Sequence, residues 1–198
     1  MTIIGITGGS GAGKTSALRA LSSLGALVID CDEVYHELLL SNTEMLTELE
    51  EYFGGVVADG RLDRVKLGAV VFSDPAALQK LNEITHKYVT VEVNRRLAEW
   101  KSAGGKLAAI DAIGLVEGNL KKLCDFLVAI TSPEETRLGR IMVRDGITRE
   151  QAQRRISAQR SDSYFAENCD YTIENAYATS EEFEAKCKEF FAEKLGGK

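Results

Sequence analysis

The stretch Gly8–Thr15, GGSGAGKT, constrains this chain more than any other, because it satisfies GxxxxGK[ST] directly after a short apolar run and directly before a helical pattern. Residues 1–7 (MTIIGIT) read as a buried strand and Lys14 onward as a helix, so the glycines fall where backbone N–H groups turn inward onto an anion. A side chain there would block the approach of that ligand, which is the reason for glycine. Lys14 supplies a point charge for β and γ phosphates, and the Thr15 hydroxyl, one residue into the helix, is placed to ligate magnesium. Gly9, Ser10, Gly11, Ala12, Gly13, Lys14, Thr15 and Ser16 are therefore the nucleotide-binding residues expected from the loop. A bare glycine-rich turn would have no use for Lys-Thr at the mouth of a helix.

At 198 residues and 44% hydrophobic the chain can bury one good core and carry a sizeable insertion. A formal charge of -6 argues against a nucleic-acid or anionic-membrane binder, since phosphate backbones are bound by neutralising them with Lys and Arg. Cys31, Cys124, Cys169 and Cys187 form no CxxC pair and have no histidines at ligand spacing, so they read as reduced packing residues. The N-terminus enters the first strand without a basic leader, and no run approaches the roughly 18 apolar residues of a membrane span. The cytoplasm is the expected compartment.

Short apolar runs recur between helical segments: 3–7, 26–30, 107–112, 126–131 and 171–174. That alternation predicts an α/β fold, a parallel sheet as the middle of three layers. The first helix places Ala17, Leu18, Leu21 and Leu24 on one face and ends at Gly25. Ser132, Thr148 and Thr179 each precede an acid or amide by three residues and are the expected hydroxyl caps of later helices. Between the second and third strands lie about 75 residues of helical periodicity, far more than the 10 to 15 or so of a plain crossover. The division expected is a core of residues 1–34 and 105–198, a helical insertion at 35–104, and a lid at about 140–166. Within the insertion Gly54-Gly55 and Ala58-Asp59-Gly60 mark turns, and Ser73-Asp74-Pro75 starts a helix running through Leu81, Ile84, Tyr88, Val91 and Leu97.

Strand two ends in Asp30-Cys31-Asp32. Carboxyl ends of strands in an open parallel sheet face the ligand crevice, which makes Asp32 the candidate base for a substrate hydroxyl and Asp30 a candidate for magnesium or its water shell. The competing reading has Asp32 capping the next helix, with Glu33 in its first turn. A cationic constellation follows: Arg137, Arg140, Arg144, Arg149, Arg154, Arg155 and Arg160 lie within 24 residues of an acidic protein. Arg137, Arg140 and Arg144 share a helix face, and a turn before a second helix makes a hairpin able to close over triphosphate and exclude water. Arg140 and Arg144 are the expected ATP contacts, against a plain reading of a solvated face paired with Glu134, Asp145 and Glu150. His86, with His36 one of the two histidines, is either a hydrogen-bonded structural residue or a substrate contact, and Glu117 either orients a cation near the substrate or starts a helix. Trp100 and the Tyr88–Leu97 stripe read as core.

With these features assembled, the chain resembles the dephospho-CoA kinases nearly end to end. The resemblance rests on ITGGSGAGKT within 4–15, VIDCDEVYHELL (28–39), EYFGG (51–55), LNEITH (81–86), RLGRIMVRDGITREQAQRRISAQ (137–159) and DYTIEN (170–175). It implies a P-loop kinase fold and transfer of the γ-phosphate of ATP, with Mg²⁺, to the ribose 3′-hydroxyl of dephospho-CoA, the last step of coenzyme A synthesis. By the same resemblance Asp32 matches the base, Lys14 and Thr15 the phosphate and magnesium residues, Arg140 a catalytic lid arginine on ATP, and Asn175 the approach to adenine. The insertion, with His86 and Glu117, matches the substrate side. Departures cluster there: His86-Lys87 stands for His-Pro, residues 113–117 (Ile-Gly-Leu-Val-Glu) for a Pro-Leu-Leu-Phe-Glu-like run, and Ala176 for glycine. Two alternatives stay open: a uridine or other nucleoside kinase, which favours serine at Ser10, and an ATP-dependent regulatory switch, which has no need of a base at Asp32.

Overall fold

The computed structural model describes residues 1–112, 114–116 and 118–196. The chain forms two compact units, Met1–Ile29 with Trp100–Lys198, and Asp30–Glu99. In chain order the elements are β1 (Thr2–Thr7), α1 (Lys14–Ser23), β2 (Leu27–Asp30), α2 (Cys31–Ser41), α3 (Thr43–Phe53), β3 (Val57–Ala58), β4 (Arg61–Leu62), α4 (Arg64–Val71) and α5 (Pro75–Ser102). They continue with β5 (Leu107–Asp111), a 3₁₀ turn (Asn119–Leu123), β6 (Phe126–Thr131), α6 (Glu134–Asp145), α7 (Arg149–Ser157), α8 (Asp162–Asn168), β7 (Tyr171–Glu174) and α9 (Ser180–Gly196).

The first unit is built on a five-stranded sheet of order β2-β5-β1-β6-β7, and its β1–β5, β1–β6 and β6–β7 pairs are parallel. Register sets Ile4 beside Ala109, Ile6 beside Val128 and Ile130 beside Ile173, so one face of the sheet gathers these residues. They pack on Ala17, Ala20 and Leu21 of α1 and on Phe183, Cys187 and Phe191 of α9. Burial there pushes the Cys187 thiol up to about 12, as expected for an inert packing cysteine. The alternate residues Ala108, Ile110, Leu127 and Ala129 are equally buried. A sheet dry on both faces reads as continuous apolar runs, and this is why those runs were visible in the sequence.

Helix ends follow local chemistry, with one correction. Thr148 and Gln151 form a reciprocal capping box at α7, and Thr179 and Glu182 exchange the same pair of bonds at α9. Ser132 does not cap α6: the N-cap is Pro133, and the buried Ser132 hydroxyl donates instead to the Asn175 carbonyl at 2.7 Å. The chain leaving β7 passes close enough to take that hydroxyl.

The second unit contains a β hairpin besides its helices, since Val57–Ala58 pairs antiparallel with Arg61–Leu62 across Asp59-Gly60. Val56, Leu67, Val71 and Ala77 make a small core of its own, with Phe53, Leu62 and Leu81 against it. α5 runs unbroken through position 87, where Lys87 reaches Glu48 at 2.7 Å and Tyr88 reaches the same carboxylate at 2.8 Å. Ile84, Val89, Val93 and Leu97 are buried, whereas Val91, expected on their stripe, is exposed. Among the described residues no helix is long and apolar enough to cross a membrane.

Candidate active site

The phosphate loop connects β1 to α1 and is held by protein on its outer side. Gly13 is the N-cap of α1 in the left-handed region, φ 106°, and no side chain caps that helix. A helix start left without a side-chain cap, behind a glycine-rich turn, is the arrangement that binds an anion. A Cβ at Gly13 would lie 2.2 Å from the Asn175 amide nitrogen, and one at Gly9 would lie 2.1 Å from the Arg137 guanidinium. The glycine requirement read from the sequence as room for a ligand is therefore also a requirement of neighbouring protein.

The loop's other residues take distinct places. Lys14 Nζ donates to the Gly8 carbonyl at 3.2 Å, Thr15 is exposed at the start of α1, Ala12 is fully buried, and Ser16 is buried with its N–H on the Gly13 carbonyl. Ser10 donates its N–H to Gln159 Oε1 at 2.9 Å. Gly11 and Ala12 turn their carbonyls to Arg140 Nη1, at 3.2 and 3.5 Å. The other nitrogen, Nη2, donates to Asn175 Oδ1 at 3.3 Å, while Asn175 Nδ2 donates to the Ala12 carbonyl at 2.9 Å. Burial holds the Arg140 pKa below the usual arginine value. That guanidinium is nevertheless charged at neutral pH and lies against the loop.

Asn175, expected near adenine, is buried, with both side-chain ends engaged in fixing the loop and Arg140. Arg144 is not brought to this cluster: it is exposed and paired with Asp145 at 2.7 Å. The physical reason is one helical turn. The loop meets α6 at Arg137 and Arg140, and Arg144, one turn on, lies beyond its reach. Arg155 also pairs with Asp145, Arg149 with Glu135 and Arg154 with Glu150, so these arginines form the solvated, paired face that was the plain alternative. Arg160 lies 5.0 Å over the Tyr164 ring.

Two residues escaped the sequence reading as site residues. Arg137, buried, donates Nε to the Ser10 carbonyl at 2.9 Å and Nη1 to Asp162 at 3.0 Å; Gln159 holds Ser10 from the same side. Arg137 stood on the singled-out helix face, but no periodicity marks Gln159.

In the unit Asp30–Glu99, the Asp30 carboxylate caps α2, its Oδ1 accepting from the N–H groups of Asp32 at 2.8 Å and Glu33 at 3.2 Å. The cap thus falls to Asp30, which corrects the alternative that gave it to Asp32 and leaves Asp32 exposed in the first turn. One turn on, the His36 ring approaches the Asp32 carbonyl at 2.7 Å through Nδ1 and Arg64 at 3.2 Å through Nε2, which assigns the Nδ1–H tautomer. His86 is exposed on α5. Glu117, the other expected substrate contact, lies outside the described residues, as does Ile113.

A family model described as dephospho-CoA kinase matches residues 2–181. The dephospho-CoA kinase of Thermobifida fusca is 36% identical over 195 residues, covering 98% of this chain and 96% of the relative. That of Dehalococcoides mccartyi is 40% identical over 165 residues, 82% and 83% of the two chains. A solved structure from Thermus thermophilus matches with TM-score 0.79 at 30% identity over 97% of each chain. With its phosphate loop, parallel sheet and loop-bound arginine, the chain belongs to the dephospho-CoA kinase family and has its P-loop kinase fold.

Proposed function

We propose that this protein transfers the γ-phosphate of ATP to the 3′-hydroxyl of dephospho-CoA, the last step of coenzyme A biosynthesis. The observation that carries this reading is the family match over residues 2–181, a range that takes in the loop, Asp32 and the arginine helix together.

Phosphoryl transfer asks a protein mainly for positioning and charge stabilisation. The first-turn N–H groups of α1 hold the phosphate chain, and Lys14 exchanges the Gly8 carbonyl for β and γ oxygens. Arg140, the loop-side cation, stabilises the charge that develops as the bond to the γ-phosphorus breaks, and Asn175 completes the proposed ATP set by holding the loop. Asp32 accepts the proton of the 3′-hydroxyl as its oxygen bonds to phosphorus and ADP leaves. Its carboxylate is suited to that work because the helix cap is made by Asp30. The Thr15 hydroxyl and the Asp30 carboxylate are each by chemistry the kind of hard oxygen donor taken by magnesium, a cation that keeps to one or two carboxylates beside substrate phosphates. The Thr15 hydroxyl and the second carboxylate oxygen of Asp30 would hold it, and when bound it supplies charge neutralisation at the phosphates.

The substrate side is assigned to the insertion, 35–104, with His86 and Glu117 as contacts; the core is 1–34 and 105–198, the lid about 140–166, and the compartment the cytoplasm. The test is a substrate comparison with Mg-ATP: dephospho-CoA is phosphorylated and uridine is not. Phosphorylation of uridine alone would remove the acceptor and keep the kinase.

A further inference from the structure

Ser10 entered the sequence reading as the loop residue that nucleoside kinases favour, and nothing in the proposed chemistry uses its side chain. The structure gives it another role. All three of its polar groups are taken from one side: the N–H by Gln159 Oε1 at 2.9 Å, the hydroxyl by Gln159 Nε2 at 2.8 Å, and the carbonyl by Arg137 Nε at 2.9 Å. Gln159 Oε1 also accepts from Arg137 Nη2 at 3.3 Å, and Arg137 Nη1 reaches Asp162 at 3.0 Å. Only one orientation of the amide satisfies this set, with oxygen toward two N–H donors and nitrogen toward the hydroxyl. Gln159 is itself fixed, its N–H on the Ile156 carbonyl at 3.0 Å in the turn closing α7.

We propose that Gln159, backed by Arg137, is a positioning residue that sets the shape of the phosphate loop through Ser10, so that the junction between α7 and α8 is a fixed wall of the cradle. A glycine-rich loop is the part of the chain with most conformational freedom to lose, and a bidentate side-chain amide on its third residue removes that freedom before ATP arrives. Glycine or alanine at position 10 would forfeit the hydroxyl half of the clamp, and a larger residue would crowd the amide. The inference rests on the loop binding ATP, as proposed above.

The test is a double-mutant cycle on the full chain, reading ATP affinity by calorimetry and KM for each substrate. Gln159→Ala is expected to weaken ATP about tenfold, the effect of losing two or three partly buried hydrogen bonds, with KM for ATP raised and KM for dephospho-CoA unchanged. Ser10→Ala, which spares the backbone and serves if the first variant folds poorly, is expected to weaken ATP about threefold. The double variant is expected to be no weaker than Gln159→Ala, because the hydroxyl acts only through the amide. Losses that multiply in the double variant, or wild-type ATP affinity in Gln159→Ala, overturn the proposal. Lys14→Ala is the control: if it abolishes ATP binding while Gln159→Ala binds ATP as wild type does, the clamp fails alone. If Lys14→Ala leaves ATP binding intact, the loop reading fails first.

Discussion

The three arginines of α6 take two different roles. Arg137 and Arg140 turn inward and bond the carbonyls of Ser10, Gly11 and Ala12. One turn further on, Arg144 lies in solvent beside Asp145, which Arg155 also meets. An arginine contributes to a phosphate site only where a backbone loop comes close enough to hold it, and that is decided by the approach of two elements rather than by charge. Enrichment of arginine in a segment therefore marks where a site is near, while burial and partners say which arginine serves it.

Substitutions can break the contrast. Arg140→Ala is expected to give the largest effect, a fall of about 10³-fold in kcat/KM, measured by coupled assay. Arg137→Ala leaves the Ser10 carbonyl and the Asp162 carboxylate without their buried cation, and is expected to cost about 3 kcal/mol in denaturant unfolding. Arg144→Ala is expected to change stability by less than about 1 kcal/mol, as for an exposed pair, and activity by less than about threefold on that scale. If Arg144→Ala instead matches Arg140→Ala, the contrast is wrong.

The smallest effect is one of pH. The Arg144 guanidinium, joined by Arg155, holds the Asp145 carboxyl below its ordinary 3.8. A depressed carboxylate stabilises the folded state above its unfolded value, and the gain is lost as pH falls through the lower folded value. Thermal midpoints of wild type and Asp145→Asn are expected to differ slightly above about pH 4 and to converge in acid. A gap that widens on acidification would have the wrong sign.

Much of the fold was legible in the sequence, for local reasons. Strands dry on both faces betray themselves as apolar runs, and reciprocal caps such as Thr148 with Gln151 need only neighbours in the chain. What was not legible depends on approach between distant segments. The Ser132 hydroxyl, 43 residues from Asn175, is taken by that residue's carbonyl and not by a helix end. The Gln159 amide meets Ser10 across 149 residues, and no spacing rule contains such a pair. The insertion's helical periodicity hid the Val57–Leu62 hairpin because its strands are two residues each, too short to show alternation. Pattern places Asp32 at the end of strand two, whereas the helix cap made by Asp30 depends on a local side-chain geometry that either aspartate could have adopted.

The central proposal is that Asp32 takes the acceptor's proton. The decisive measurement compares Asp32→Asn with wild type for phosphate transfer from ATP to dephospho-CoA, alongside ATP affinity by calorimetry. Turnover is expected to fall by about 10³-fold or more with ATP affinity within about twofold, the signature of an interaction made in the transition state. Wild-type turnover in that variant would contradict it.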